Sequence, residues 1–367
     1  MPEFIPGLEL SRLFFAEAVL PLLQEHFPTL TYSAALIGSG SEVLGYDTPI
    51  STDHHWGPRL MLFLAPQDYD QLHDAIIERL SAHLLYTFRG YSTNFGEPDN
   101  IGVRLPKQIT SGAVAHRVEP MTVEGFFTFY LGIDPRSEFG VVDWLSLPEQ
   151  KLLTVTAGAV YHDGLGDLGQ IRQKLAYYPH DLWLYLLACQ WSRIAQEEAF
   201  VGRAGHVGDE LGSQIIAGRL VRDMMKLCFM LEKRYAPYSK WFGTAFSRLQ
   251  SAPSLTPIFR SVLLAPTWPE REAYLADAYR VVATLHNQLG LTQPLPTEVS
   301  PYYGRPYRVI RAEYFAAALS AAIREPEMQR LPFGVGAVDQ WVDSTDVLSR
   351  PERLNSLRPI WNQKLER

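Results

Sequence analysis

Apolar residues recur along this chain with two different periods, and the change of period divides it. Leu10 to Phe27 carries apolar side chains at helical spacing, and Pro21 within it predicts a kink, because proline lacks a backbone donor and crowds the preceding turn. TYSAALI (31–37) and RLMLFLA (59–65) are short apolar runs and read as strands. Between Asp68 and Leu84, the residues Leu72, Ile76, Ile77, Leu80 and Leu84 share one helical face. GAVAHRVE (112–119) and AGAVYHD (157–163) predict two further strands, with Asp163 capping the turn that follows the second. From Pro179 onward the pattern is almost wholly helical. HDLWLYLLACQWSRIAQEEAF, GSQIIAGRLVRDMMKLCFMLEKRY, PEREAYLADAYRVVATLHNQLG and YRVIRAEYFAAALSAAI are long and amphipathic. The expected fold class is α+β, with a mixed sheet and flanking helices over residues 1–170 and a helical bundle over 171–367.

Composition narrows the partners. Of 367 residues 47% are hydrophobic and 20% charged, which is an ordinary globular balance. The formal charge of −7 argues against a protein devoted to wrapping nucleic acid, since phosphate contacts need a basic excess. Cys189 and Cys228 lie within apolar helical stretches, away from metal-ligand spacing, and fit a reducing cytoplasm. No window approaches the roughly 18 consecutive apolar residues that a membrane span needs. No basic stretch followed by an apolar one opens the sequence, so no secretory signal is read. A cytoplasmic protein without membrane contact is expected; its oligomeric state is not encoded in any pattern here.

The chemistry concentrates between Leu36 and Leu64, in LIGSGSEVLGYDTPISTDHHWGPRLMLFL. Gly38, Ser39, Gly40 and Ser41 close the first strand and predict a short helix opening at Glu42. Such a turn lets backbone N–H groups and small hydroxyls approach a polyphosphate. Asp53 follows with His54 and His55, then Gly57, Pro58 and Arg59. On an extended chain Asp53 and His55 point to one side, so both are expected to face a bound phosphate or metal.

These residues resemble the nucleotidyltransferase superfamily of the polymerase-beta type, in which a strand and Gly-Ser are followed by Asp-x-Asp/Glu on the next strand and a third carboxylate on a later one. Gly40, Ser41 and Asp53 match that motif. The wider chain resembles an uncharacterised bacterial family within the superfamily, through GSGSEVLG, the DHHWGPR segment, and Tyr235-Ala-Pro-Tyr238-Ser-Lys240-Trp241. In layout it is similar to the kanamycin and lincosamide nucleotidyltransferases. The resemblance implies a nucleotidyltransferase-like sheet and transfer of a nucleoside monophosphate, AMP from ATP in the first instance, to a hydroxyl of a small acceptor. It implies divalent cations, Mg2+ or Mn2+, held by Asp53, His55 and Glu119. Gly38, Ser39, Gly40 and Ser41 would meet the phosphates, with Arg59 and Lys240 countering their charge.

One position departs from the motif. Its second carboxylate is His55 here, and magnesium prefers hard oxygen ligands, whereas imidazole suits manganese or zinc better. Either Glu42 or Asp47 supplies the missing ligand, or the metal differs, or the protein is a catalytically silent nucleotide or metabolite binder on the same fold. Modification of an RNA end is disfavoured by the acidic balance. A metal hydrolase built on His54, His55 and His116 lacks any paired-histidine helical motif. The stripe of Trp183, Tyr185 and Trp191 reads as core.

Overall fold

The computed structural model describes residues 3–53, 56–100 and 102–362. Its residues form a mixed α+β protein in two compact units, one of Met1–Phe139 with Lys151–Ala176, the other of Gly140–Gln150 with Tyr177–Arg367. A single boundary near residue 170 was expected; instead residues 140–150 join the second unit, and the helix Glu149–Thr156 contributes to both.

The first unit is organised by a four-stranded sheet. β1 (Tyr32–Leu36) pairs antiparallel with β2 (Arg59–Leu64) and with β6 (Ala159–Asp163), while β2 pairs parallel with β5 (Arg117–Thr122). The spatial order is β5-β2-β1-β6. Every residue of β1 and β2 is buried, which is why both read as continuous apolar runs rather than alternating ones. Ala34, Leu60, Leu62, Leu64 and Val118 face one core with Phe14, Phe15, Val19 and Leu23 and with Ile76 and Leu80 of α3 (Pro66–His83).

The N-terminal helix runs as α1 (Gly7–Phe14), a π turn (Phe15–Val19) and α2 (Leu20–His26). The irregularity expected at Pro21 thus appears one turn earlier, where the ring would meet the carbonyl four residues back. β5 begins later than its apolar pattern predicts. Residues 112–116 direct their backbone elsewhere: Val114 N–H donates to the Ser81 carbonyl in the last turn of α3 at 2.8 Å, and Ala115 N–H to Asn94 Oδ1 in a loop at 2.8 Å. Pro120 lies within the strand, which its place at the sheet edge permits. A small hairpin of β3 (Thr87–Phe88) and β4 (Tyr91–Ser92) turns through Arg89 and Gly90, both at positive φ.

In the second unit α8 (His180–Glu197) is buried around most of its circumference, including Trp183, Tyr185 and Trp191 as anticipated. It packs against α10 (Glu210–Leu231) and α14 (Ala312–Ala322); α12 (Ala252–Leu264) and α13 (Trp268–Gln288) complete the bundle. The last predicted helix starts late. Arg305–Val309 is a strand, β8, paired with β7 (Ser300–Tyr302) through a two-residue turn at Tyr303 and Gly304, both at positive φ. The chain after α14 folds onto α8: Gln340 Nε2 donates to the Leu186 carbonyl and to Gln190 Oε1, each at 3.1 Å. Cys189 and Cys228 are buried and free, and burial pushes both thiols up to about 12, so neither is a reactive thiolate. No helix among the described residues is long and apolar enough to cross a membrane.

Candidate functional site

The turn that follows β1 is fixed from three sides. Gly38 takes a φ of +83° and its N–H donates to the Thr154 carbonyl at 2.9 Å. Gly40, at φ +141°, lies so close to the Glu42 carboxylate and the Arg59 guanidinium that an added Cβ would fall 2.5 Å from Glu42 Oε2. Ser39 hydrogen-bonds the Tyr130 hydroxyl, which also meets Thr154 Oγ1 at 2.7 Å, and burial raises the Tyr130 pKa. No helix opens at Glu42. Residues 41–45 form a tight turn instead, closed by Gly45 N–H to the Glu42 carbonyl and Tyr46 N–H to the Ser41 carbonyl, each at 3.0 Å. The backbone N–H groups of Ser39, Gly40, Ser41 and Glu42 therefore make no hydrogen bond among the described residues.

Arg59, expected to meet phosphate, is the buried support of this turn. Its Nε donates to Glu42 Oε1 at 2.9 Å, and a terminal nitrogen donates to the Ser39 carbonyl at 2.8 Å. Its charge is compensated by Glu42, so it does not stand as a free cation. The same pair removes Glu42 as a substitute for the carboxylate missing at position 55. Asp47 is committed as well, since its Oδ2 accepts from Gly7 N–H at 2.7 Å and Trp56 Nε1 at 3.0 Å.

The remaining candidates are distributed as follows. The backbone of Asp53 ends a short 3-10 helix, Pro49–Asp53, rather than entering β2 as an extended residue; its side chain lies outside the described residues, as do His54 and His55 entirely. Glu119 sits inside β5, not at the end of a strand, opposite Met61 of β2. Alternation along parallel neighbours puts Glu119, Met61 and Arg59 on one face of the sheet, the face on which a Cβ added at Gly38 would meet Phe126 and Met61. The Glu119 carboxylate is half-exposed and accepts from Arg117 through Oε1, at 2.8 and 3.0 Å. His116 is buried and bonded by both ring nitrogens to backbone, so it carries no hydrolase chemistry. Lys240 belongs to the second unit, exposed on α11 (Ser239–Phe246), its Nζ 4.9 Å from the centre of the Trp241 ring. Among the described residues no three His, Cys, Asp or Glu side chains converge to hold a metal ion.

The second unit contains a feature that no sequence pattern announces. A cavity of about 340 Å3 is lined by three carboxylates, Glu149, Asp339 and Asp343, by Lys226 and Arg222, and otherwise by a largely apolar wall. Asp339 Oδ2 accepts from Glu149 N–H at 2.7 Å, Glu149 Oε2 accepts from Ala236 N–H at 2.7 Å, and Lys226 Nζ donates to the Asp339 carbonyl. Burial, and next the nearby Asp339 charge, push the Glu149 carboxyl up to about 8. Burial likewise raises Asp339 and lowers Lys226. More than a hundred residues separate Lys226 from Asp339, so only the fold brings them together.

A carboxyl held at about 8 when folded, against 4.5 when unfolded, makes the native state bind the extra proton, so stability falls as pH rises between those values. His286, pushed down to about 4 by burial, acts oppositely below its ordinary 6.5. Between pH 6.5 and 8 the wild-type slope also carries the buried Glu198, raised to about 8, and the shifted Asp339 and Lys226, so the Glu149 contribution is read from the difference between wild type and a Glu149 variant. Thermal melts across that window should show the midpoint falling in the wild type and falling less in Glu149→Gln. Equal slopes for the two proteins would mean that Glu149 is ionised in the folded state.

A family profile described as a domain of unknown function (DUF4037) matches residues 144–242. That stretch includes Glu149, Lys226 and Lys240, but neither the Gly-Ser turn nor Asp339. No curated protein matches the chain.

Proposed function

We propose that the turn Gly38–Ser41 binds the phosphates of a nucleoside triphosphate, and that the protein moves the nucleoside monophosphate, AMP from ATP, to a hydroxyl of a small molecule. The supporting observation is the set of consecutive N–H groups from Ser39 to Glu42 that have no partner among the described residues, at a turn held by glycines at positive φ. Such a concavity of amide dipoles suits an anion without needing a helix N-terminus. Arg59 and Tyr130 hold the turn from behind, so its amides need little reorganisation when a ligand arrives. Glu119 shares the sheet face on which the turn packs, which agrees with a third carboxylate beside the phosphates.

The described side chains do not assemble a metal site, and no step through a metal follows from them. A second reading, a nucleotide-binding protein without transferase activity, draws on the commitments of Glu42 and Asp47, the residues that were to replace the missing carboxylate, to other partners.

One set of measurements tests both readings. Thermal unfolding would be followed with ATP, GTP, CTP or UTP, in magnesium, in manganese and without metal. A nucleotide at a hundred times its dissociation constant stabilises by about 2.7 kcal/mol. The expected result is a metal-dependent shift with one nucleotide, lost in Asp53→Ala. Absence of any shift under all conditions overturns nucleotide binding. Where binding holds, stoichiometric pyrophosphate release with an acceptor supports transfer, and its absence across metals and acceptors leaves the silent binder.

A further inference from the structure

Helix α10 carries two apolar faces, and the bundle covers one of them. Ala217, Leu220, Met224 and Leu227 are buried against the second unit. On the opposite side Leu211, Ile215, Gly218 and Arg222 follow at intervals of four, three and four residues, which at about 100° per residue keeps them within roughly 60° of arc. That alternation is the seam of a two-helix coiled coil. Leu211 is 69% and Ile215 58% exposed, so the seam lacks a partner helix among the described residues. Leu263 of α12, 54% exposed, lies beside it, 3.9 Å from where a Cβ at Gly218 would stand. The sequence does not announce this surface, because the buried face of α10 is equally apolar.

The seam is complementary to itself when two α10 helices run antiparallel about a two-fold axis between Ile215 and Gly218. Size matches first. Ile215 of each copy then lies over Gly218 of the other, where the missing side chain leaves a hollow beside Val221, Met225 and Leu263. Charge matches next. Arg222 lies against Leu211 of the other copy, two residues and so about 3 Å along the axis from its Asp209, a distance the long side chain spans. Arg222 is exposed and makes no hydrogen bond or ion pair among the described residues, although Asp339 and Asp343 line the same cavity. Asp209 caps α10 by accepting from Gly212 N–H through Oδ1 at 2.8 Å, which leaves Oδ2 without a donor among those residues. Arg219 and Glu210 are committed within the chain, to Glu197 at 2.6 Å and Arg271 at 3.1 Å. We propose that the protein forms a two-fold dimer through α10, with Ile215 of each copy seated over Gly218 of the other and Arg222 paired with Asp209. An unrelated apolar partner would use the stripe without satisfying both matches.

Sedimentation equilibrium of the full chain tests this. The expected result is a reversible equilibrium in which the mass rises with concentration from 41.5 kDa toward twice that value. Ile215→Asp and Gly218→Leu should each raise the dissociation constant at least about tenfold. Gly218→Leu replaces a poor helix former by a good one, so a folded monomer is expected from it, and circular dichroism melts confirm the folding. Asp209→Asn keeps the cap on Gly212 N–H and removes the charge, while Arg222→Gln removes its complement. Each should weaken the dimer by about two- to fivefold, and the two together by less than the product of the single effects. A wild type that stays monomeric at every concentration overturns the proposal, as does a dimer indifferent to Ile215→Asp and Gly218→Leu. Charge variants whose effects multiply independently overturn the antiparallel pairing.

Discussion

Arg59→Met should destabilise the first unit by about 3–5 kcal/mol, because it leaves the Glu42 carboxylate buried without its cation. Both partners are almost wholly excluded from solvent, so water cannot replace the lost guanidinium. The Ser39 carbonyl loses its donor in the same step, and the Gly-Ser turn loses its anchor. The converse double change is informative. With Glu42→Leu added, the unpaired charge disappears, and an apolar pair of similar volume should recover much of the loss. Urea unfolding of wild type, both single variants and the double variant measures the coupling. A double variant less stable than Arg59→Met would show that the pair is not coupled as the geometry requires. Nucleotide binding, if carried by the turn, should weaken in Arg59→Met even under conditions where the protein remains folded.

Trp191→Ala should cost the second unit a similar amount, about 3–5 kcal/mol, from lost burial and the cavity left behind. Trp191 is fully buried on α8, stacked on Phe315 with ring centres 4.2 Å apart, and its Nε1 donates to His286 Nδ1 at 3.2 Å. That hydrogen bond requires a neutral imidazole, in keeping with the pKa of about 4 that burial imposes on His286. Trp191→Phe separates the two contributions. It retains most of the stacking but leaves His286 Nδ1 buried without a donor, a loss of about 1–3 kcal/mol. Denaturant midpoints for the two variants check the order, and a phenylalanine variant as stable as wild type would remove the hydrogen bond from the account.

Much of the framework was legible because it follows from burial on both faces. β1 and β2 appear as unbroken apolar runs, and α8 and α10 as long amphipathic ones. What escaped the pattern was decided by backbone conformation. The hairpins at Arg89-Gly90 and Tyr303-Gly304 place a large residue at positive φ, a choice that carries no apolar signature, and the second hid the strand Arg305–Val309 within an apparent helix. The start of β5 lies later than the apolar pattern suggests because Val114 and Ala115 bond to the end of α3 and to Asn94 instead of to a strand. The Gly-Ser turn was visible as composition, but its support was not. Arg59 and Glu42 read as ligand candidates until their mutual pairing is seen. Glu149, Lys226 and Asp339 had no signal at all, since isolated charges on helices and loops ordinarily face solvent.

The π turn at Phe15–Val19 changes how the first helix keeps its phase. On a regular helix of 3.6 residues per turn, Phe14 and Leu23 would project roughly half a circumference apart. Both nevertheless enter the same core. The wide turn underwinds the backbone and rotates everything after it, so the segment behaves as a helix with one surplus residue absorbed in its middle. Sequence alignments of this stretch should therefore be allowed a one-residue gap between Phe15 and Val19. Shorter versions of the chain that lack that residue can carry the same apolar face on an ordinary helix.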